Sequence, residues 1–66
     1  MTITLNGDAY ALEGPLTIAA LLERLGIDGR RVAVEQNLIV IKRPLYDTTM
    51  IADGDEVEIV NFVGGG

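Results

Sequence analysis

The 66-residue chain is long enough for one small domain, and its 48% hydrophobic residues are enough for a single core. It has no cysteine, histidine or serine, which excludes disulfides, thiolate metal sites and Ser-His-Asp or Cys-His nucleophilic machinery. Its net charge of −5, from ten acidic and five basic residues, argues against a nucleic-acid footprint, which needs clustered Lys and Arg.

Met1 to Asn6 reads as a strand with Ile3 and Leu5 on one face. Asn6-Gly7 is a hairpin signal because both residues tolerate positive φ, and Asp8 to Glu13 reads as the return strand, closed by Gly14-Pro15. The stretch from Thr17 to Leu25 predicts a helix. Thr17 suits the N-cap, Ile18, Leu21, Leu22 and Leu25 form one apolar stripe, and Gly26 suits a left-handed stop.

Asp28 to Arg31 reads as a turn, Val32 to Gln36 as a strand facing Val32 and Val34 inward, and Leu38 to Ile41 as another short strand. Lys42-Arg43-Pro44 interrupts the pattern, since proline has no N–H for a central strand. Leu45 to Ile51 is expected to be irregular or weakly extended. Asp53-Gly54-Asp55 is a turn, and Glu56 to Val63 is the last strand, with Val57 and Ile59 inward and Glu58, Val60 and Phe62 on the opposite face.

One helix covers one face of a sheet, so the economical packing lays the helix stripe across a mixed sheet whose first and last strands run parallel. The expected class is α+β, a β-grasp (ubiquitin-like) arrangement: a mixed four- to five-stranded sheet packed on one helix. Residues 1–63 would form the domain and 64–66 a flexible glycine tail. A domain this small buries only roughly 60% of the surface its unfolded chain exposes. The N-terminus lacks the basic and long apolar regions of a signal peptide, and no apolar run approaches the roughly 20 residues that span a bilayer. The expected setting is the cytoplasm, without membrane contact.

The side chains offer little chemistry. Asp53, Asp55 and Glu56 cluster, but a tight turn before a strand accounts for them, and no metal site is expected. No catalytic residue and no bound cofactor are expected. The distinctive group is the carboxylate of Gly66, at the end of Gly64-Gly65-Gly66. Glycine lacks Cβ, so such a tail fits channels closed to other residues; the alternative is a frayed end. Adenylation would make the carboxylate electrophilic, and a sulfur nucleophile could then displace AMP and leave a thiocarboxylate. Val60 and Phe62 precede the tail. They form either an exposed docking patch or a contact beneath the Lys42–Met50 loop. Arg43 and Tyr46 are candidates for the same partner face, with solvated loop residues as the alternative.

From Asp53 through Val60 to Phe62-Val63-Gly64-Gly65-Gly66, the chain resembles the sulfur-carrier proteins of thiamine biosynthesis, small ubiquitin-like proteins, and the similarity spans essentially its whole length. Asn37 with its following apolar pair, Arg43 and Tyr46 also resemble the family's middle segment. A proline often precedes that arginine in the family; here Lys42 does, and Pro44 follows.

The resemblance implies a protein co-substrate rather than an enzyme. An adenylyltransferase related to ubiquitin-activating enzymes would use ATP to activate Gly66. A sulfur donor such as a cysteine desulfurase would supply sulfur, and thiazole synthase would accept it. Three alternatives stay open: the small subunit of molybdopterin synthase, a ubiquitin-like protein modifier joined through Gly66, and an inert β-grasp interaction module.

Overall fold

In the computed structural model, residues 1–62 are described, and Val63, Gly64, Gly65 and Gly66 lie outside the described residues. Strands β1 (Thr2–Leu5) and β2 (Asp8–Ala11) form the N-terminal hairpin, β3 (Leu16–Thr17) is a short extended segment, and α1 (Ile18–Arg24) follows. A 3₁₀ turn at Gly29–Arg31 leads into β4 (Val32–Gln36), β5 (Ile39–Ile41), a second 3₁₀ turn at Arg43–Leu45, β6 (Met50–Ile51) and β7 (Glu56–Asn61).

The main sheet has the order β2-β1-β7-β4-β5. β1 and β7 are parallel, pairing Thr4 with Glu56 and Leu5 with Val57, and the other neighbours are antiparallel. The last long strand therefore lies at the centre. The expected α+β, β-grasp architecture is what the chain adopts. The expectation of a weakly extended stretch from Leu45 to Ile51 is sharpened: β6 pairs antiparallel with β3 in a separate two-stranded sheet.

The hairpin turns follow from backbone sterics. Asn6 (φ 49°) and Gly7 (φ 86°) both sit at positive φ, as a two-residue turn matched to the strand twist requires. The helix ends are satisfied group by group. The Ala20 amide donates to Thr17 Oγ1, the Ile18 amide to the Thr49 carbonyl and the Ala19 amide to the Tyr46 carbonyl, so three otherwise unpaired N–H groups find acceptors. At the other end Gly26 (φ 71°) donates to the Glu23 carbonyl and Ile27 to the Leu22 carbonyl, the paired closure that a left-handed residue after a helix permits.

Alternation along the strands decides the core. Ile3, Val32, Val34 and Val57 point to the face covered by Ile18, Leu21 and Leu22, and Leu12, Tyr46 and Ile51 complete the buried cluster. The opposite face of the sheet carries Thr4, Ala33, Glu35, Val40, Glu56, Glu58 and Val60 in register. No helix among the described residues is long and apolar enough to cross a membrane.

Candidate functional site

The site is assembled where β7 ends. Asn61 pairs with Val32 on β4, and one residue later the Phe62 amide donates to the Arg31 carbonyl at 3.0 Å. This bond ties the chain to the Gly29–Arg31 turn four residues before Gly66. The predicted attachment point Gly66, the tail glycines Gly64 and Gly65, and the predicted domain boundary after Val63 all lie outside the described residues.

Val60 and Phe62 are 52% and 51% exposed. Val60 lies on the sheet face opposite the helix, in register with Ala33. Of the two placements open to these side chains, the exposed one is found. Alternation explains it, because Val57 and Ile59 take the helix-facing positions and leave Val60 on the bare face. Arg43 joins the site through its guanidinium, whose Nη2 donates to the Arg30 carbonyl at 3.0 Å. The successive carbonyls of Arg30 and Arg31 thus anchor Arg43 and Phe62 to one turn.

Tyr46 does not join them. The expectation that it faces a partner is corrected: Tyr46 is 6% exposed and belongs to the core. Its hydroxyl donates to the Val32 carbonyl at 3.4 Å, and its ring lies so close to Gly29 that a Cβ there would sit 3.6 Å from Tyr46 Cδ2. A phenol buries a large apolar ring provided its O–H finds an acceptor, and the Val32 carbonyl supplies one. Tyr46 thereby supports the turn beneath the site. Arg43 and Phe62 are tied to the same turn, while Val60 lies on the sheet face opposite the helix.

Asp28 caps the Gly29–Arg31 turn by accepting from the Arg30 amide at 2.9 Å, and its carboxylate pairs with the Arg30 guanidinium at 3.0 Å. The side-chain hydrogen bond from Arg30, with the bond from the Arg30 amide, lowers the Asp28 pKa from 3.8 to about 2. A shallow depression lined by Gly26, Ile27, Asp28, Arg31, Asn61 and Phe62 runs from the helix end to the root of the tail. Among the described residues no group of three acidic side chains is placed to hold a metal ion.

A second exposed apolar feature was not singled out by the sequence. Leu38, Ile39 and Val40 at the β4–β5 turn are 84%, 65% and 64% exposed. In sequence Leu38 to Ile41 read as a short strand; Leu38 instead sits in the turn, and Ile39 and Val40 lie in the outermost strand of the sheet.

A family model described as the ThiS family matches residues 3–66. The chain belongs to the ThiS family. The crystal structure of a thiamine biosynthesis protein (ThiS) from Geobacter metallireducens superposes with a TM-score of 0.88, at 38% identity over 100% of both chains. The chain is 40% identical to a sulfur carrier protein ThiS of Bacillus subtilis over 76% of each chain. It is 42% identical to a thiazole synthase of Paramagnetospirillum magneticum over all of this chain but 20% of that one. A thiazole synthase of Magnetococcus marinus is likewise matched over 20% of its length. The chain thus spans about a fifth of these two family relatives.

Proposed function

We propose that the chain is a sulfur carrier for thiamine biosynthesis and that the Gly66 carboxyl group is the atom-bearing end. The observation that carries this reading is the family match, which runs through Gly66. Gly64-Gly65-Gly66 comes after Phe62 and Val63, which follow the central strand β7, and the sequence offers no histidine, cysteine or serine for catalysis. The chain is therefore acted upon and supplies no catalytic residue of its own.

In the proposed cycle a Gly66 carboxylate oxygen attacks the α-phosphorus of ATP in an adenylyltransferase, forming an acyl adenylate and releasing pyrophosphate. Hydrosulfide, or a desulfurase-borne persulfide followed by thiol reduction of the acyl disulfide, attacks the carbonyl carbon. AMP leaves, and the thiocarboxylate remains. Its sulfur passes to thiazole synthase. The naming of two longer relatives as thiazole synthases supports that acceptor, since a carrier stretch within the same chain would raise the effective concentration of the two reactants. The cytoplasm, where ATP is available, is the proposed compartment.

The tail sets the geometry of the encounter. Four residues beyond Phe62 reach at most about 14 Å, so the partner's reactive centre lies within that span of the site. Ordering each tail residue costs about 1–2 kcal/mol of backbone entropy, which main-chain hydrogen bonds in a narrow channel would offset. Val60, Phe62 and Arg43 are the proposed contacts at its mouth.

Intact-mass spectrometry of protein ending at Gly66, incubated with its adenylyltransferase, ATP and a sulfur donor, tests the reading. The expected result is the mass increment of one oxygen exchanged for sulfur, lost when Gly66 is deleted. An unmodified mass under turnover conditions, or conjugates to lysines in place of the exchange, rejects it.

A further inference from the structure

The charges of the molecule are sorted by location. All five basic residues, Arg24, Arg30, Arg31, Lys42 and Arg43, fall in a 20-residue stretch of the sequence, and the topology gathers them at one end of the fold. Val32, which follows Arg31, pairs with Asn61, and Ile41, which precedes Lys42, pairs with Val34. Both basic pairs therefore flank the end of the sheet where β7 finishes. Arg24 closes α1, whose following residues Gly26 to Asp28 share a depression with Arg31 and Phe62.

Three carboxylates, Glu23, Asp28 and Asp47, lie in the same region, leaving it a surplus of two positive charges. The other seven are Asp8, Glu13, Glu35, Asp53, Asp55, Glu56 and Glu58, of which Glu35 and Glu58 pair with each other at mid-sheet. Four of these are tied by contact or register to the start of β7. Asp8 pairs with Leu5, which is itself beside Val57, and Glu56 lies beside Thr4. Asp53 accepts from the Thr2 amide, and Asp55 accepts from Asn37 and Gln36. The chain is net acidic, yet it shows a positive end, and Phe62, the last described residue, lies at that end.

We propose that Arg31, Lys42 and Arg43 form a basic collar that docks on an acidic rim around the tail channel of the adenylating partner protein. The proposal rests on the carrier reading above and adds the chemistry of the surface that receives it. The reach of the tail makes the encounter obligatory. A channel that admits Gly66 within about 14 Å of Phe62 brings its mouth against the collar, closer than the ~8 Å screening length of physiological salt. A basic mouth would meet like charge there, whereas an acidic mouth gains attraction and draws the bipolar carrier in tail first. Arg30 is committed to Asp28. Arg31 and Lys42 are exposed, and among the described residues that Arg30–Asp28 contact is the one ion pair.

The test is carrier adenylation, read as pyrophosphate release with the cognate adenylating enzyme, across rising NaCl. For the native chain kcat/KM is expected to fall with salt. The double variant Arg31→Glu/Lys42→Glu should lose about tenfold or more in kcat/KM at low salt, with a flattened salt dependence and recovery at saturating carrier. Arg31→Gln/Lys42→Gln should fall between. Asp8→Lys/Glu13→Lys, at the far end, should change kcat/KM by no more than about twofold, because exposed charges beyond a screening length contribute little. Melting curves verify that each variant is folded. Full adenylation of the Glu variant at native efficiency overturns the collar and leaves the carrier reading standing. Equal effects from both ends reduce it to net charge, and sedimentation showing that the Glu variant loses self-association assigns the collar to a second copy instead. No adenylation of the native chain at any salt removes the carrier reading and the collar together.

Discussion

Asn37 and Asp55, 18 residues apart, are joined by a 3.1 Å hydrogen bond from Asn37 Nδ2 to Asp55 Oδ1. The other carboxylate oxygen accepts from the Ala52 amide and from Gln36 Nε2, each at 2.8 Å. Asn37 Oδ1 accepts in turn from the Glu56 amide at 2.9 Å. One carboxylate therefore locks the β4–β5 turn to the start of β7, the strand that carries the tail at its far end. Partial burial works to raise the Asp55 pKa, but the bonds from Ala52, Asn37 and Gln36 outweigh it and bring the carboxyl below its ordinary 3.8.

The lowered Asp55 pKa makes stability pH-dependent with a definite sign. A carboxyl depressed in the folded state contributes fully above the unfolded value and loses that contribution as pH falls through the folded one. Urea titrations are expected to hold a constant midpoint from neutrality down to about pH 4.5, then fall as the pH passes below 3.8. Asp55→Ala should cost about 1–3 kcal/mol at neutral pH, as hydrogen bonds to a charged group do, and should shrink the acid-induced loss. An unchanged acid limb in the variant would show that other carboxylates govern it.

Leu21 is fully buried at the centre of the helix stripe, against Val34, Val57 and Ile3 in one cluster. Leu21→Ala is expected to destabilise by about 2–5 kcal/mol, the lost transfer energy plus the cavity left behind. In a 66-residue domain that is a large share of the roughly 5–15 kcal/mol available to a folded protein. Equilibrium urea unfolding measures it, and a near-zero change would mean the helix does not close the core.

Periodicity and turn chemistry made most of the fold readable in advance. The Ile18-Leu21-Leu22 stripe lies on the core face, Gly26 has its left-handed backbone, and Val57 and Ile59 face inward while Val60 does not. Features held by contacts distant in sequence were not readable. Two-residue strands such as β3 and β6 are too short to show a period. Tyr46 sits in a stretch without a regular apolar period, so nothing local signals that its ring fills the space beside Gly29. Asp53-Gly54-Asp55 was fully explained as a turn, which concealed the partnership of Asp55 with Asn37. At the site, Phe62 and Val60 were found by alternation. The collar was hidden because Arg31 and Lys42 reach the same end of the sheet only after β4 and β5 have paired.

Leu38 sits at φ 69° in the two-residue β4–β5 turn, after Asn37 at φ 52°. The left-handed region costs an L-residue about 1–2 kcal/mol, while glycine carries an entropic penalty of roughly 0.5–1 kcal/mol. The Leu38 side chain is 84% exposed and gives up little burial when removed. Leu38→Gly is therefore expected to raise stability by about 0.5–1 kcal/mol, as the difference of the two backbone contributions. A thermal melt reads this as a higher midpoint, and a lower midpoint would mean that Leu38 packs against something in the folded chain.

Phe62 is half exposed just beyond the end of β7, and its own amide, not its ring, anchors it to Arg31. Removing the ring should leave the fold intact, since the buried cluster does not include it. Aromatic side chains beside a reactive tail contribute disproportionately to partner binding when a pocket covers them. Phe62→Ala is thus expected to lower kcat/KM for adenylation of the carrier by about tenfold or more, roughly the effect of 1.4 kcal/mol of binding, with a melting curve matching the native chain. The two readouts separate the possibilities. A lower melting point with unchanged kinetics would make Phe62 a structural residue. Lost efficiency at an unchanged melting point places the partner's surface directly over the last described residue of the chain.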